Sequence, residues 1–100
     1  MFTITSPQNG GNVSIGQGFT QVTGNVDFSS TITACINDGG VVQCSPPQHV
    51  VVPPGATIPW TAVVPTHGFH VGDWALLTAS AKADDATGTT SMTINIHLVA

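Results

Sequence analysis

Apolar and polar residues alternate in two runs near the end of the chain, on either side of a polar turn. Met92, Ile94, Ile96 and Leu98 alternate with Ser91, Thr93, Asn95 and His97. Before the turn, Leu77, Ala79, Ala81 and Ala83 alternate with Thr78, Ser80 and Lys82. A period of two marks a strand with one face buried and one wet. Two such runs joined by Asp84-Asp85-Ala86-Thr87-Gly88 predict a β-hairpin.

The same period recurs upstream. Val22, Gly24, Val26 and Phe28 share one face of a strand over residues 19–28. Glycine in a strand interior predicts a bulge or a close approach by another backbone at Gly24. Over residues 31–38, Ile32, Ala34 and Ile36 oppose Thr33, Cys35 and Asn37. Gly39-Gly40 suits a two-residue hairpin turn, and residues 41–44 return from it. Trp60, Ala62 and Val64 mark a further strand that ends at Pro65. Shorter pieces at 2–4, 13–15 and 49–52 read as edge segments. Prolines 46, 47, 53, 54 and 59 keep the stretch between 45 and 59 out of any central strand. No stretch of ten residues carries the three-and-four spacing of an amphipathic helix. About seven short antiparallel strands, roughly ten residues apart, predict one all-β sandwich over residues 1–100.

Register counting pairs the cysteines. With Gly39-Gly40 as the loop, Asp38 faces Val41, Asn37 faces Val42, Ile36 faces Gln43 and Cys35 faces Cys44. Bonded and non-bonded pairs alternate from Asp38–Val41, so Cys35–Cys44 is a non-bonded pair, close enough for a disulfide. Such a bridge lies opposite Ile32 and Ile36, on the outer face, and staples one hairpin. The rival is a reduced pair in a cytosolic protein. A zinc site built on these two thiols lacks the further ligands.

Charge changes the picture more than hydrophobicity does. Charged residues are 6% of the chain, against about 25% in an ordinary soluble domain. Lys82 is the single basic side chain, and the acids are Asp27, Asp38, Asp73, Asp84 and Asp85, giving a net charge of −4. A nucleic-acid surface needs Lys and Arg to displace counterions, so nucleic acid is excluded as a partner. Docking on anionic lipid is disfavoured for the same reason. No run of 18 apolar residues is present to form a membrane-spanning helix. Solubility then rests on hydroxyls and amides, a habit of secreted and surface proteins. The first residues are strand-like rather than leader-like. The expectation is a domain of a longer secreted protein, or else a small protein carried in a virus particle.

Several residues are candidates for chemistry. His67 and His70 stand three apart with Asp73 nearby, but a transition-metal site needs three or four convergent ligands, and a polar loop is the plainer reading. Asp84 and Asp85 lie in the last turn, at the same end of a sandwich as Asp27. Three carboxylates there could bind calcium; the plainer reading is an Asp-rich turn. No other metal or cofactor is expected. Trp60 heads an alternating strand and reads as core. Trp74 reads as a corner residue packed over the adjoining loop, with an exposed, sugar-stacking or partner-anchoring ring as the alternative. Trp74, Asp84 and Asp85 are therefore the candidate ligand-binding residues. Asn12-Val13-Ser14 matches a glycosylation sequon. No nucleophile elbow, phosphate loop or spaced carboxylate pair points to an enzyme.

Taken in order, Ile4-Thr5-Ser6-Pro7 and Asn9-Gly10, Val22-Thr23-Gly24, a Trp60-led strand, Gly72 ahead of Trp74, Leu77-Thr78-Ala79-Ser80-Ala81 and Asp85-Ala86-Thr87-Gly88 before an alternating last strand carry a likeness. The chain resembles the bacterial Ig-like modules, related in architecture to fibronectin type III, of surface, secreted and phage proteins. The resemblance implies a seven-stranded sandwich and a spacer or adhesion role without catalysis. It implies as partners the neighbouring domains of a longer chain, or a surface protein or glycan. The chain departs from the pattern in its Trp74, in its longer Asp84-Asp85 loop, where a bulge is expected near Ala83, and in cysteines unlike those of antibody domains. Two alternatives stand beside the spacer. One is a carbohydrate-binding module using Trp74 or the Asp loops. The other is a self-assembling filament or capsid-decoration subunit, pairing through the edges at 2–4 and 49–52, which carry little charge to guard them.

Overall fold

The computed structural model describes residues 1–85 and 88–100; Ala86 and Thr87, in the expected last turn and in the last motif of the family likeness, lie outside the described residues. Nine strands form among the described residues: β1 (Thr3–Ser6), β2 (Gly11–Ser14), β3 (Phe19–Val26), β4 (Ser30–Asp38), β5 (Val41–Cys44), β6 (Gln48–Val50), β7 (Ile58–Pro65), β8 (Trp74–Ala83) and β9 (Thr89–Val99). The count exceeds the expected seven because the short edge pieces β2 and β6 form ladders of their own. No helix among the described residues is long and apolar enough to cross a membrane.

The strands make two sheets. One has the order β1-β3-β7; the other runs β2-β9-β8-β4-β5, with β6 pairing a different part of β4. The chain changes sheets between β1 and β2. There Gly11 N–H donates to the Gln8 carbonyl (2.8 Å) and Gly10 N–H to the Asn95 carbonyl (2.7 Å). As a result β2 runs parallel to β9, whereas the other ladders are antiparallel. This corrects the expectation of antiparallel strands throughout. Alternation shows which face of a strand is buried; it does not choose the strand's neighbour.

The inward faces follow the predicted parity. Val22, Val26, Trp60, Ala62 and Val64 from the smaller sheet meet Ile32, Ala34, Ile36, Leu77, Ala79, Ala81, Ile94, Ile96 and Leu98 from the larger, in one buried cluster. Met92 shares that parity but is 36% exposed. Phe2 stacks on Trp60 with ring centroids 5.3 Å apart. Gly24 sits under that pair. A Cβ there would lie 2.6 Å from two carbons of the Trp60 ring and would overlap the Thr3 carbonyl oxygen. The expected close approach at Gly24 is thus real, and the other backbone belongs to β1. The β8–β9 ladder is regular from Trp74↔His97 to Lys82↔Thr89, and the one shift recorded on β1 falls between Ile4 and Ser6.

The body measures 42 × 20 × 19 Å. The 11 residues of β9 span roughly 37 Å at about 3.4 Å per residue, so the strands run along the long axis. The Met1 amine pairs with Asp27, just past the end of β3. The Ala100 carbonyl accepts from Ser14 Oγ (3.1 Å), at the end of β2. Those two places are opposite ends of the long axis, called here the Met1 end and the Ala100 end.

Candidate functional site

Asp27, Asp84 and Asp85, weighed as calcium ligands against the plainer reading of an Asp-rich turn, form no convergent group among the described residues. Asp27 is engaged by the Met1 amine. Asp84 Oδ2 pairs with His49 Nε2 at 2.7 Å, both side chains being substantially exposed. Asp85 is exposed beside them. Among the described residues the carboxylates and imidazoles that converge lie elsewhere. Asp84 is held to β6, the edge strand beside β4, through His49.

The convergent group forms at the Ala100 end, where the loop between β7 and β8 folds across the sheets. Thr66 anchors it: its N–H donates to the Gly18 carbonyl (3.0 Å) and its Oγ1 to the Ile15 carbonyl (3.1 Å). Phe69 is buried beneath, and Gly72 N–H donates to the Leu98 carbonyl (2.7 Å). His70 N–H donates to Asp38 Oδ2 at 3.1 Å. Asp38, His70 and Asp73 thereby present ligand atoms within 4.8 Å of one another. Asp38 is buried; the other two are exposed. His70 Nδ1 is 4.0 Å from Asp73 Oδ2. The Asp38 carboxyl raises the Asp73 pKa above its ordinary value by hydrogen-bonding the protonated form; desolvation and repulsion from Asp38 add to this, and His70 opposes it. Two carboxylates and an imidazole form a donor set that a divalent cation accepts, though an incomplete one.

Of His67, His70 and Asp73, weighed as metal ligands against the plainer reading of a polar loop, two belong to this group. His67 is exposed, and its carbonyl accepts from Gln43 Nε2 (3.1 Å). Its place is taken by Asp38, at the end of β4. Nothing in local spacing signals a residue 32 positions upstream of His70.

Trp74 is not buried over the adjoining loop. It is 61% exposed, on the outer face of the larger sheet together with Leu76. The parity of β8 turns Ala75, Leu77 and Ala79 inward and Trp74 outward. Its ring stacks on His97, with centroids 4.8 Å apart and planes at 29°. His97 Nδ1 lies 3.4 Å from Asn12 Oδ1. Across the other side, β4 pairs with β8 only as far as Asn37↔Leu76, so Trp74 has no ladder partner there. Trp74 and the Asp84-Asp85 pair thus stand at opposite ends and do not form one site. In the sequence, His97 and Asn95 stand out only as polar positions of the last strand, and Asn12 only as the head of a sequon. Counting the last hairpin outward from its five-residue turn would have put Leu98 opposite Trp74, one position away from its partner His97.

Cys35 and Cys44 face each other in the register counted above and are disulfide-bonded, with Cα atoms 4.0 Å apart. The bridge lies on the outer face and closes the β4–β5 hairpin. Disulfides of this kind persist in oxidising, extracellular compartments.

No family model and no curated protein matches the chain. A crystal structure of an engineered protein is similar to it, with a TM-score of 0.60 and 23% identity over 100% of this chain and 20% of that one. The chain spans about a fifth of that protein's length, and the likeness bears on the fold alone.

Proposed function

We propose that the chain is an Ig-like, fibronectin type III-like module of a secreted, cell-surface or virion protein, and that it works as a rigid spacer without a catalytic step. The observation that carries this reading is the position of Met1 and Ala100 at opposite ends of a body 42 Å long. A module with that geometry passes the chain from one neighbour to the next and adds its full length. The strand orders β1-β3-β7 and β2-β9-β8-β4-β5, with the first part of the chain shared between sheets, support the Ig-like assignment. The Cys35–Cys44 staple supports an extracellular or virion setting. The partners would be the adjoining domains of a longer chain, or a surface protein or glycan.

Tandem copies joined end to end test the reading by small-angle scattering. The maximum dimension should rise by close to 42 Å with each copy added. Copies that fold back into a compact particle would overturn it.

A further inference from the structure

The outer face of the six-stranded sheet is not uniform along its length. Cross-strand register puts Asn12, His97 and Trp74 in one rung, on β2, β9 and β8. The next rung holds Asn95, Leu76, Asn37 and Val42, on β9, β8, β4 and β5. The rungs beyond carry Thr93, Thr78, Cys35 and Cys44, then Ser91, Ser80 and Thr33. The first two rungs therefore combine an exposed indole, two exposed aliphatic side chains and three of the chain's five asparagines, with no Asp, Glu, Lys or Arg.

This strip is built to stay as it is. Trp74 sits in the β8–β9 ladder opposite His97, and the His97 stack holds one face of its ring. The residue is 61% exposed, so much of the ring remains open to solvent. Asn12 steadies His97, and Asn37 Oδ1 accepts from Gly40 N–H at 2.9 Å. The Asn95 side-chain amide has no hydrogen-bond partner among the described residues, although its backbone N–H donates to Asn9 Oδ1 (2.9 Å). A ring fixed before binding, beside an unpaired amide, loses little conformational freedom when a ligand arrives.

Size and charge choose the ligand class. Two rungs across five strands make a strip roughly 19 Å long and 7 Å wide. A stable protein interface needs about 800 Å² per partner, several times that area. A pyranose suits it better. One face of the sugar ring is a patch of C–H bonds that stacks on an indole, and its rim of hydroxyls both donates to and accepts from side-chain amides. Without a basic or acidic side chain in the strip, an uncharged sugar fits and an anionic one finds no counter-charge.

From this arrangement we infer that the Trp74–His97–Asn95 strip is a binding platform for a neutral oligosaccharide. Trp74 is the stacking residue and Asn95 and Asn12 are the hydroxyl partners. The platform goes beyond the spacer role and does not depend on it, since the spacer's test reads only molecular length.

The probe is an array of neutral hexose, pentose and N-acetylhexosamine oligosaccharides, followed by titration of any hit against intrinsic fluorescence. Trp60 is buried and gives a constant background, while stacking on Trp74 should shift emission to the blue. Trp74→Ala should weaken binding by at least about tenfold, Asn95→Ala by several-fold, and Trp74→Phe should retain part of it. Asp84→Asn, at the other end, should bind as the unmodified chain does. Thermal unfolding of each variant confirms that the fold is kept. The inference is overturned if no neutral glycan on the array binds at millimolar concentration, or if Trp74→Ala binds unchanged. Sedimentation showing a dimer that Trp74→Ala converts to monomer would likewise overturn it, because the strip would then be a contact between copies.

Discussion

The two tryptophans of this chain have opposite fates. Trp60 is 3% exposed, stacked on Phe2, and pressed against Gly24, where a side chain would overlap both the ring and the β1 backbone. Trp74 is 61% exposed and stacked on His97 on the outer face of the larger sheet. Residue type is the same; strand parity differs. On β7 the even positions Trp60, Ala62 and Val64 point inward, and on β8 the odd positions Ala75, Leu77 and Ala79 do. A one-residue offset in phase decides whether the same indole is core or surface. The core ring is explained by stability. The surface ring is not, and that is why functional interest settles on it.

The contrast is sharpest in stability. Trp60→Ala should cost about 3–5 kcal/mol in denaturant unfolding, the range for truncating a buried aromatic. Trp60→Phe should cost less, because it keeps a ring against Phe2 and removes an indole N–H that is buried without a partner among the described residues. Gly24→Ala tests the same corner from the other side. The added methyl must displace both the Trp60 ring and the β1 backbone, so a loss of about 3 kcal/mol is expected, at the upper end for overpacking. A loss under about 1 kcal/mol would mean that β1 is only loosely held on the sheet.

The outer face should be cheaper to disturb. Replacing Cys35 and Cys44 together by Ala should lower stability by about 2.7 kcal/mol, the chain-entropy value for a closed loop of about ten residues. Because the staple lies on the outer face, away from the buried side of β4, the cost is assigned to the unfolded chain, and the variant's near-ultraviolet tryptophan signal should be unchanged. At the Ala100 end, Asp73 titrates above its ordinary value, mainly because Asp38 bonds its protonated form. The stabilisation this represents is complete below the ordinary carboxylate value and is lost as pH rises through the raised native value. Asp73→Asn should therefore melt higher than the unmodified chain at neutral pH, and the gap should close near pH 3. A gap independent of pH would show that Asp38 and Asp73 do not interact. Smallest of all, Trp74→Ala should change stability by no more than about 0.5 kcal/mol. A much larger loss would mean that Trp74 carries structural weight and would remove its contrast with Trp60.

Much of the architecture was legible without coordinates. The alternation placed the larger strands, the Gly39-Gly40 count predicted the Cys35–Cys44 partnership, and Gly24 announced a close contact. These are local properties, since a period of two, a two-residue turn and a missing Cβ each act within one strand or one hairpin. The edge pieces were visible too, but not their partners. Phase also pointed to an outward Trp74, because Leu77 and Trp74 have opposite parity; packing over the adjoining loop was the simpler expectation, and the ring is exposed instead.

What the sequence by itself determined is an all-β chain with one buried face per strand, one stapled hairpin and a surface nearly free of charge. Tertiary structure alone decided that β2 crosses to the second sheet and runs parallel to β9. It also decided that Asp38, from the end of β4, joins His70 and Asp73, and that Asp84 meets His49. Each of these depends on residues tens of positions apart meeting across a sheet or an end of the sandwich. Such meetings are set by strand order and by the path of one anchored loop, and neither is written in the spacing of the residues that meet.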